Sequence, residues 1–243
     1  MPSSMKTASI AACFTFVALS LCGLRQVSSA DEPAKTAKTA SETGERPKWT
    51  SLFDGKALGE WKTSDFPGSG EVTVEKGAIV LGTGMDMTGV TLDKKIPKVN
   101  YEVELEAMRA DGSDFFCGLT FPVKDKFCSL IVGGWGGGVV GLSSLGGMDA
   151  SENETGTYRE FETGKWYPIK LRVTDQRITT WIDGKEVIDA DIRDRGLSTR
   201  LEVEWSKPFG IATWQTKGAI RKIRIRELPP AEVKTVNDGL KDL

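Results

Sequence analysis

Between Val72 and Arg226 apolar side chains fall at alternate positions in one short run after another, and turn-forming residues separate the runs. Successive side chains of an extended strand point to opposite faces, so a period of two marks a strand with one face buried and one wet. Val72 and Val74, the turn Glu75-Lys76-Gly77 and the run Ala78 to Leu81 read as a hairpin, while Val99 to Met108 and Ile169 to Val173 alternate as single strands. Ile178 to Ile182, the pair Asp183-Gly184 and Glu186 to Ile192 read as a second hairpin, because Asp-Gly supplies the positive backbone angles of a two-residue turn. No segment longer than ten residues carries a helical period. Roughly a dozen short strands cannot bury their faces as one flat sheet, so the expected fold is all-β, two antiparallel sheets stacked as a jelly-roll sandwich, with a closed barrel as the other solution.

The run from Ser113 to Ser143, SDFFCGLTFPVKDKFCSLIVGGWGGGVVGLSS, reads as three successive strands whose glycines leave one large ring, Trp135, uncrowded. Those glycines fit a bulge or a close strand contact equally well. If the turn is centred on Val123 to Lys126, Phe121 faces Cys128 and Cys117 faces Val132, so the two thiols lie on one face but roughly 13 Å apart. A disulfide needs Cα atoms within about 7 Å. A tighter turn at Pro122 and Val123 would align the pair, and buried free thiols are the alternative.

At the N-terminus, Lys6 precedes an apolar stretch from Ala8 to Leu24 and the small residues Ser28, Ser29 and Ala30, the pattern of a secretory signal over residues 1–30. The expectation is export to the periplasm or the medium, with no membrane insertion after processing. Residues 31–47 lack aromatic side chains and a hydrophobic period and read as a flexible leader; a domain over 48–228 and a polar tail over 229–243 follow. Loss of Lys6 and Arg25 with the signal moves the net charge from −2 to about −4, which offers no long-range attraction to nucleic acid or anionic lipid. In Arg221 to Arg226 the basic residues alternate with Ile223 and Ile225, the pattern of a solvated outer strand face.

The chain contains no histidine, so no serine triad or imidazole base can form within it. Neither a phosphate-binding glycine loop nor a zinc-type Cys/His spacing is present. Acids remain. Glu102, Glu104 and Glu106 share one strand face and read as solvated, and Glu202 and Glu204 flank Val203 on a further expected strand. Asp114 precedes an aromatic strand, and Glu154 lies in the loop Asp149 to Thr155, which would suit catalysis, a calcium site or a plain polar loop. No cofactor beyond that possible calcium is expected. Asn153-Glu154-Thr155 is also a glycosylation sequon. Trp135 and Trp214 offer indole faces on which sugar rings stack, with Gln215 and Arg159 to bond hydroxyls. Trp61, Trp166 and Trp181 read as core.

The opening Trp49-Thr-Ser-Leu-Phe-Asp-Gly-Lys-Ala-Leu-Gly-Glu-Trp61, with Gly164-Lys-Trp-Tyr, Ile178-Thr-Thr-Trp-Ile-Asp-Gly-Lys and Ala219-Ile-Arg-Lys-Ile-Arg-Ile-Arg-Glu-Leu, resembles the 3-keto-disaccharide hydrolase domain family over about Trp49 to Leu228. The resemblance implies a concanavalin A-like jelly roll and cleavage of glycosides whose sugar is oxidised to a ketone at C3. It supplies no catalytic residues here, because the Gly-Ile-Phe-Phe-Arg type strand of many relatives is replaced by Asp114-Phe-Phe-Cys-Gly-Leu-Thr-Phe. The residues themselves point to a carbohydrate partner, with Asp114 and Glu154 as acids and Trp135, Arg159, Trp214 and Gln215 as contacts. A noncatalytic sugar-binding module or a structural cell-surface domain are the other readings.

Overall fold

The computed structural model describes residues 48–239; the expected signal over 1–30, the leader over 31–47 and the last four residues lie outside the described residues. In chain order the strands are β1 (Thr50–Ser51), β2 (Trp61–Thr63), β3 (Val72–Glu75), β4 (Ala78–Leu81), β5 (Met87–Leu92), β6 (Tyr101–Asp111), β7 (Cys117–Val123), β8 (Lys126–Gly134), β9 (Val139–Ser143), β10 (Thr157–Tyr158), β11 (Tyr167–Val173), β12 (Arg177–Ile182), β13 (Lys185–Asp191), β14 (Gly210–Trp214) and β15 (Lys217–Glu227). One antiparallel sheet runs β13-β12-β11-β6-β15-β4-β3, with β1 also on β15; the other runs β10-β9-β8-β7-β14-β5-β2. The fold is therefore the two-sheet jelly roll that the alternation implies.

Inward side chains of both sheets meet in one core: Val103, Leu105 and Ala107 of β6 and Ile169 and Leu171 of β11 on one side, Leu119, Phe121, Leu130, Val132 and Leu142 on the other. Both expected hairpins form, and the three strands of the 113–143 run are β7, β8 and β9. Phe121 pairs with Cys128 and Cys117 with Val132, the register set by a turn at Lys124-Asp125. The thiols are accordingly unbonded, and both are buried.

Three local expectations are overturned. Leu201 to Ser206 forms a 3-10 helix rather than a strand carrying Glu202 and Glu204: no strand partners it, and the three-residue period buries Val203 and Ser206 on one side. Trp166 and Trp181 are half-buried on the outer face of the first sheet, under Arg221 (4.0 Å) and Lys170 (3.9 Å) respectively, while Trp61 is core. The glutamates of β6 are not freely solvated. Glu102, only 2% exposed, accepts from Arg172 Nε (2.7 Å) and Arg226 Nε (2.5 Å); Glu104 accepts from Arg224 Nε (2.8 Å); Glu106 bonds Arg221 and Lys222. A register shift between Arg221 and Arg224 puts both Arg221 and Lys222 within reach of Glu106. The tail contributes α1 (Pro230–Asp238), whose Glu232 bonds Arg226 (2.8 Å).

Burial pushes the Cys117 and Cys128 thiols up to about 12, which leaves almost no thiolate at neutral pH. In native protein at pH 8 neither cysteine is expected to react with iodoacetamide, and both react once denatured; peptide mass spectrometry separates this from a native disulfide, which would block both states.

Candidate functional site

The site is built around Arg109, near the end of β6 and 6% exposed. Its Nη2 donates to the carbonyls of Gly137 (2.7 Å) and Gly133 (3.2 Å), Nη1 to Phe161 O (3.3 Å) and Nε to Asp114 O (3.3 Å), and the guanidinium lies 5.2 Å from the centre of the Phe116 ring. Burial pulls its pKa down and the Asp114 charge opposes that shift. Space for this cation comes from glycine. A Cβ on Gly133, at φ +80°, would stand 2.6 Å from Arg109 Nη2 and 2.9 Å from the Phe116 ring; one on Gly137, at φ +109°, would stand 2.9 Å from Ser113 O. Gly133 is also the unpaired residue where the β8–β9 register shifts, so the bulge reading of the glycine run holds. The turn that Arg109 ties down carries Trp135, a residue 44% exposed that sits between the strands rather than on one.

Asp114 is fastened to the same turn. Its Oδ1 accepts the Phe115 N–H (2.7 Å), its Oδ2 accepts the Gly136 N–H (3.2 Å), and its own N–H donates to Thr216 Oγ1 (3.0 Å). Phe115 folds down over Gly118, where a Cβ would meet its ring at 2.9 Å, and approaches Trp214 at the end of β14 (6.5 Å between ring centres).

The facing wall is the 3-10 helix. Val203 packs with Met87, Ala212 and Phe66 in a second small core on the outer face of the second sheet. Arg200, just ahead of the helix, donates through Nη2 (2.8 Å) and Nε (3.3 Å) to Glu202 and through Nη1 to Asp149. Asp149 is nearly buried and accepts from Ser143 Oγ (2.5 Å) and the Ala150 N–H (2.8 Å); Asn153 Nδ2 donates to its carbonyl (2.8 Å). The bonds from Glu202 and then Asp149 raise the Arg200 pKa, and the bond from Arg200 holds Glu202 below the usual carboxylate range.

Between these walls lies a cleft of about 240 Å³. Asp114, Phe115, Trp135 and Trp214 line one side, Arg200, Glu202 and Val203 the other, and Ser129 and Ser143 are on the floor. Of the residues singled out from sequence, Asp114, Trp135 and Trp214 meet here. Glu154, Arg159 and Gln215 are not among its lining residues. Glu154 bonds Arg195 (2.5 Å), which lowers its pKa; Arg159 pairs with Asp183 and lies over Phe161 (5.4 Å) and Tyr167 (5.3 Å); Gln215 donates to Met85 O (2.9 Å). The loop proposed for calcium is instead closed by protein contacts: Asp149 and Glu154 each hold an arginine, and among the described residues no three of His, Cys, Asp and Glu gather as a metal site. Asn153 is buried with its amide donating to Leu142, Met148 and Asp149 carbonyls, so the sequon is closed to a glycan in the folded chain. Sequence reasoning weighed Glu202 and the Asp149 loop among the candidate acids but chose Glu154, and it missed Arg109 and Arg200; the arginines carried no signal beyond composition, because each acts through partners distant in the chain.

The family model described as the 3-keto-alpha-glucoside-1,2-lyase-like domain matches residues 48–226. No curated protein matches the chain. Among solved structures, Crh5 transglycosylase in complex with NAG aligns at a TM-score of 0.51 and 16% identity over 74% of this chain and 83% of its own, and a sialidase at 0.51 and 12% over 76% of this chain and 19% of its own. The carbohydrate-binding module CBM66 from Bacillus subtilis aligns at 0.48 and 15%, over 69% and 96%. At such identities the first two alignments establish a shared fold.

If Gly133 exists to admit Arg109, Gly133→Ala should cost about 2 kcal/mol or more, from the positive φ and the displaced guanidinium together, and lower Tm by roughly 4–8 °C. Gly136→Ala has a positive φ but open space, and should cost only about 1 kcal/mol. Equal losses in thermal denaturation would show that the cation does not set the requirement.

Proposed function

We propose, from the premise that this chain belongs to the 3-keto-alpha-glucoside-1,2-lyase-like domain family, that the cleft binds one sugar unit against Trp135 and Trp214 and cleaves glycosides oxidised at C3. The observation that carries this reading is the joint lining of one cleft by two indoles, the Asp114 carboxylate and the Arg200 guanidinium. Indole faces suit the C–H surface of a pyranose, and the small volume, below the usual range of ligand pockets, suits one ring better than an extended chain.

The charge pattern favours elimination over direct two-carboxyl hydrolysis. A glycosidase of the latter kind needs a protonated acid opposite a carboxylate. Here Asp149 and Glu202 are both engaged by Arg200, and Glu202 is held towards its ionised form. Asp114, bonded only by backbone N–H groups, is the base. A C3 ketone acidifies the C2 hydrogen; Asp114 takes that proton, the electrons move onto the C3 oxygen, and Arg200 stabilises the charge. Return of the electrons forms a C1–C2 double bond and breaks the bond from C1 to the leaving oxygen, which receives a proton from Asp114 or water. Water then adds across the double bond. A noncatalytic sugar-binding domain is the second reading, favoured by the lack of a second carboxyl free of arginine in the lining.

The signal-like pattern of residues 1–30 supports a periplasmic or extracellular site of action. The secreted protein is then expected to begin at Asp31, which N-terminal sequencing checks.

On this reading Asp114→Asn lowers turnover of a chromogenic 3-keto-glucoside about 100-fold or more with sugar binding retained, and deuterium at C2 slows the wild type. Trp135→Ala and Trp214→Ala each weaken binding about tenfold. Binding without turnover in the wild type supports the second reading; release that is unaffected by Asp114→Asn removes the assigned base.

A further inference from the structure

Three charged groups at the cleft, Arg200, Glu202 and Asp149, belong to one arrangement that the sugar-binding reading does not by itself require. The lining holds two carboxylates, Asp114 and Glu202, against one guanidinium, Arg200. Behind the lining Asp149 sits against Arg200 and Arg109 against the Asp114 carbonyl, so this outer layer is balanced and the lining keeps its negative excess. Arg200 is the one cation of the lining, and its Nε–Nη2 edge is already taken: Nε and Nη2 donate to Glu202 and Nη1 to Asp149, which leaves the second N–H of Nη1 and of Nη2 for a sugar oxygen.

The two carboxylates that hold it differ in kind. The Asp149 side chain is 10% exposed and fixed by Ser143 and the Ala150 N–H; that of Glu202 is 45% exposed and fixed by Arg200 alone among the side chains. Asp149 is enough to neutralise and aim the guanidinium. Glu202 adds a second negative charge and occupies the Nε–Nη2 edge, the edge that a carboxylate or sulfate on a substrate would otherwise take. From this we infer that Glu202 is a specificity residue which restricts the cleft to uncharged sugars, and that Arg200 is a latent site for uronic acids which Glu202 masks.

The inference rests on the sugar-binding reading and is tested with a matched pair, methyl glucoside and methyl glucuronide, which differ only in the C6 carboxylate. In the wild type the glucoside binds more tightly, by about fivefold, the effect of a half-exposed charge pair. Glu202→Gln, which removes the charge and keeps the shape, raises the ratio of glucuronide to glucoside affinity about fivefold, and Glu202→Ala, which also frees the fork, raises it further; both gains shrink in 1 M salt. Trp135→Ala weakens both sugars and leaves their ratio unchanged. Equal binding of the two sugars by wild type, or a ratio insensitive to Glu202, overturns the inference and leaves the sugar site standing. Failure of both sugars to bind in every variant removes the sugar site itself, and the inference with it.

Discussion

A guanidinium with no carboxylate on its own donors holds the site together. Arg109 spends its hydrogen bonds on the carbonyls of Asp114, Gly133, Gly137 and Phe161, which belong to three separate stretches of chain, Gly133 and Gly137 sharing one turn. Carbonyls in a turn buried on one side need donors, and a single planar cation supplies several in fixed directions where water or lone side chains would leave the turn loose. The consequence reaches the surface. Trp135 is displayed because its turn is tethered from beneath, and Asp114 is aimed because its carbonyl is held by Arg109 and its carboxylate by the same turn's Gly136. Position in the cleft is thus set by a residue that does not line it.

The two outer sheet faces show why the cleft forms where it does. On the first sheet, the glutamates of β6 lie between basic residues of β15 and β11, and the long side chains lie as ion pairs and over indoles, so that the depression of about 710 Å³ on this face is lined by paired charges such as Glu104, Glu106, Lys222 and Arg224. On the second sheet the outward positions are small: Gly89 under Phe66, Gly118 under Phe115, Gly141 against Ala150, with Ala212 and Ser129 between. Small residues lower the floor, and aromatic rings and the 3-10 helix build walls on it. The same backbone architecture therefore presents one hollow walled by paired charges and another floored by small residues and walled by aromatic rings, and side-chain choice sets the chemistry of each.

Much of this was legible before any coordinates. Strand period, the Asp183-Gly184 and Glu75-Lys76-Gly77 turns and the Phe121–Cys128 register follow from local rules, because alternation and turn geometry act within a few residues. Trp135, Trp214 and Asp114 were also readable as unusual residues at strand ends. Glu154 was not separable from Asp149 by sequence: both are acids in one loop, and only the fold shows that Arg195 takes the first and Arg200 the second. The strand expected at Glu202 failed for a related reason. Its alternation is genuine, but a strand needs a free edge, and Val203 instead finds Met87 and Ala212 beneath it as a helical turn.

The placement of charge narrows the chemistry more than the identity of the residues does. Three acids near one hollow would suggest a proton donor facing a nucleophile, the usual division of labour at a glycosidic bond. That division requires an environment which pushes one carboxyl towards its neutral form, by burial without a cation or by an unbalanced like charge. Arg200 supplies the opposite to two of the three, bonding Asp149 and Glu202 at once. What is left is a single carboxylate facing a guanidinium across the hollow. Such a pair can remove an activated hydrogen and hold the charge that results, but it has no second acid to protonate an unactivated leaving group. A substrate already carrying a ketone beside the carbon that loses its hydrogen asks for no more than that, and this is the ground on which the oxidised sugar is proposed over the ordinary glycoside.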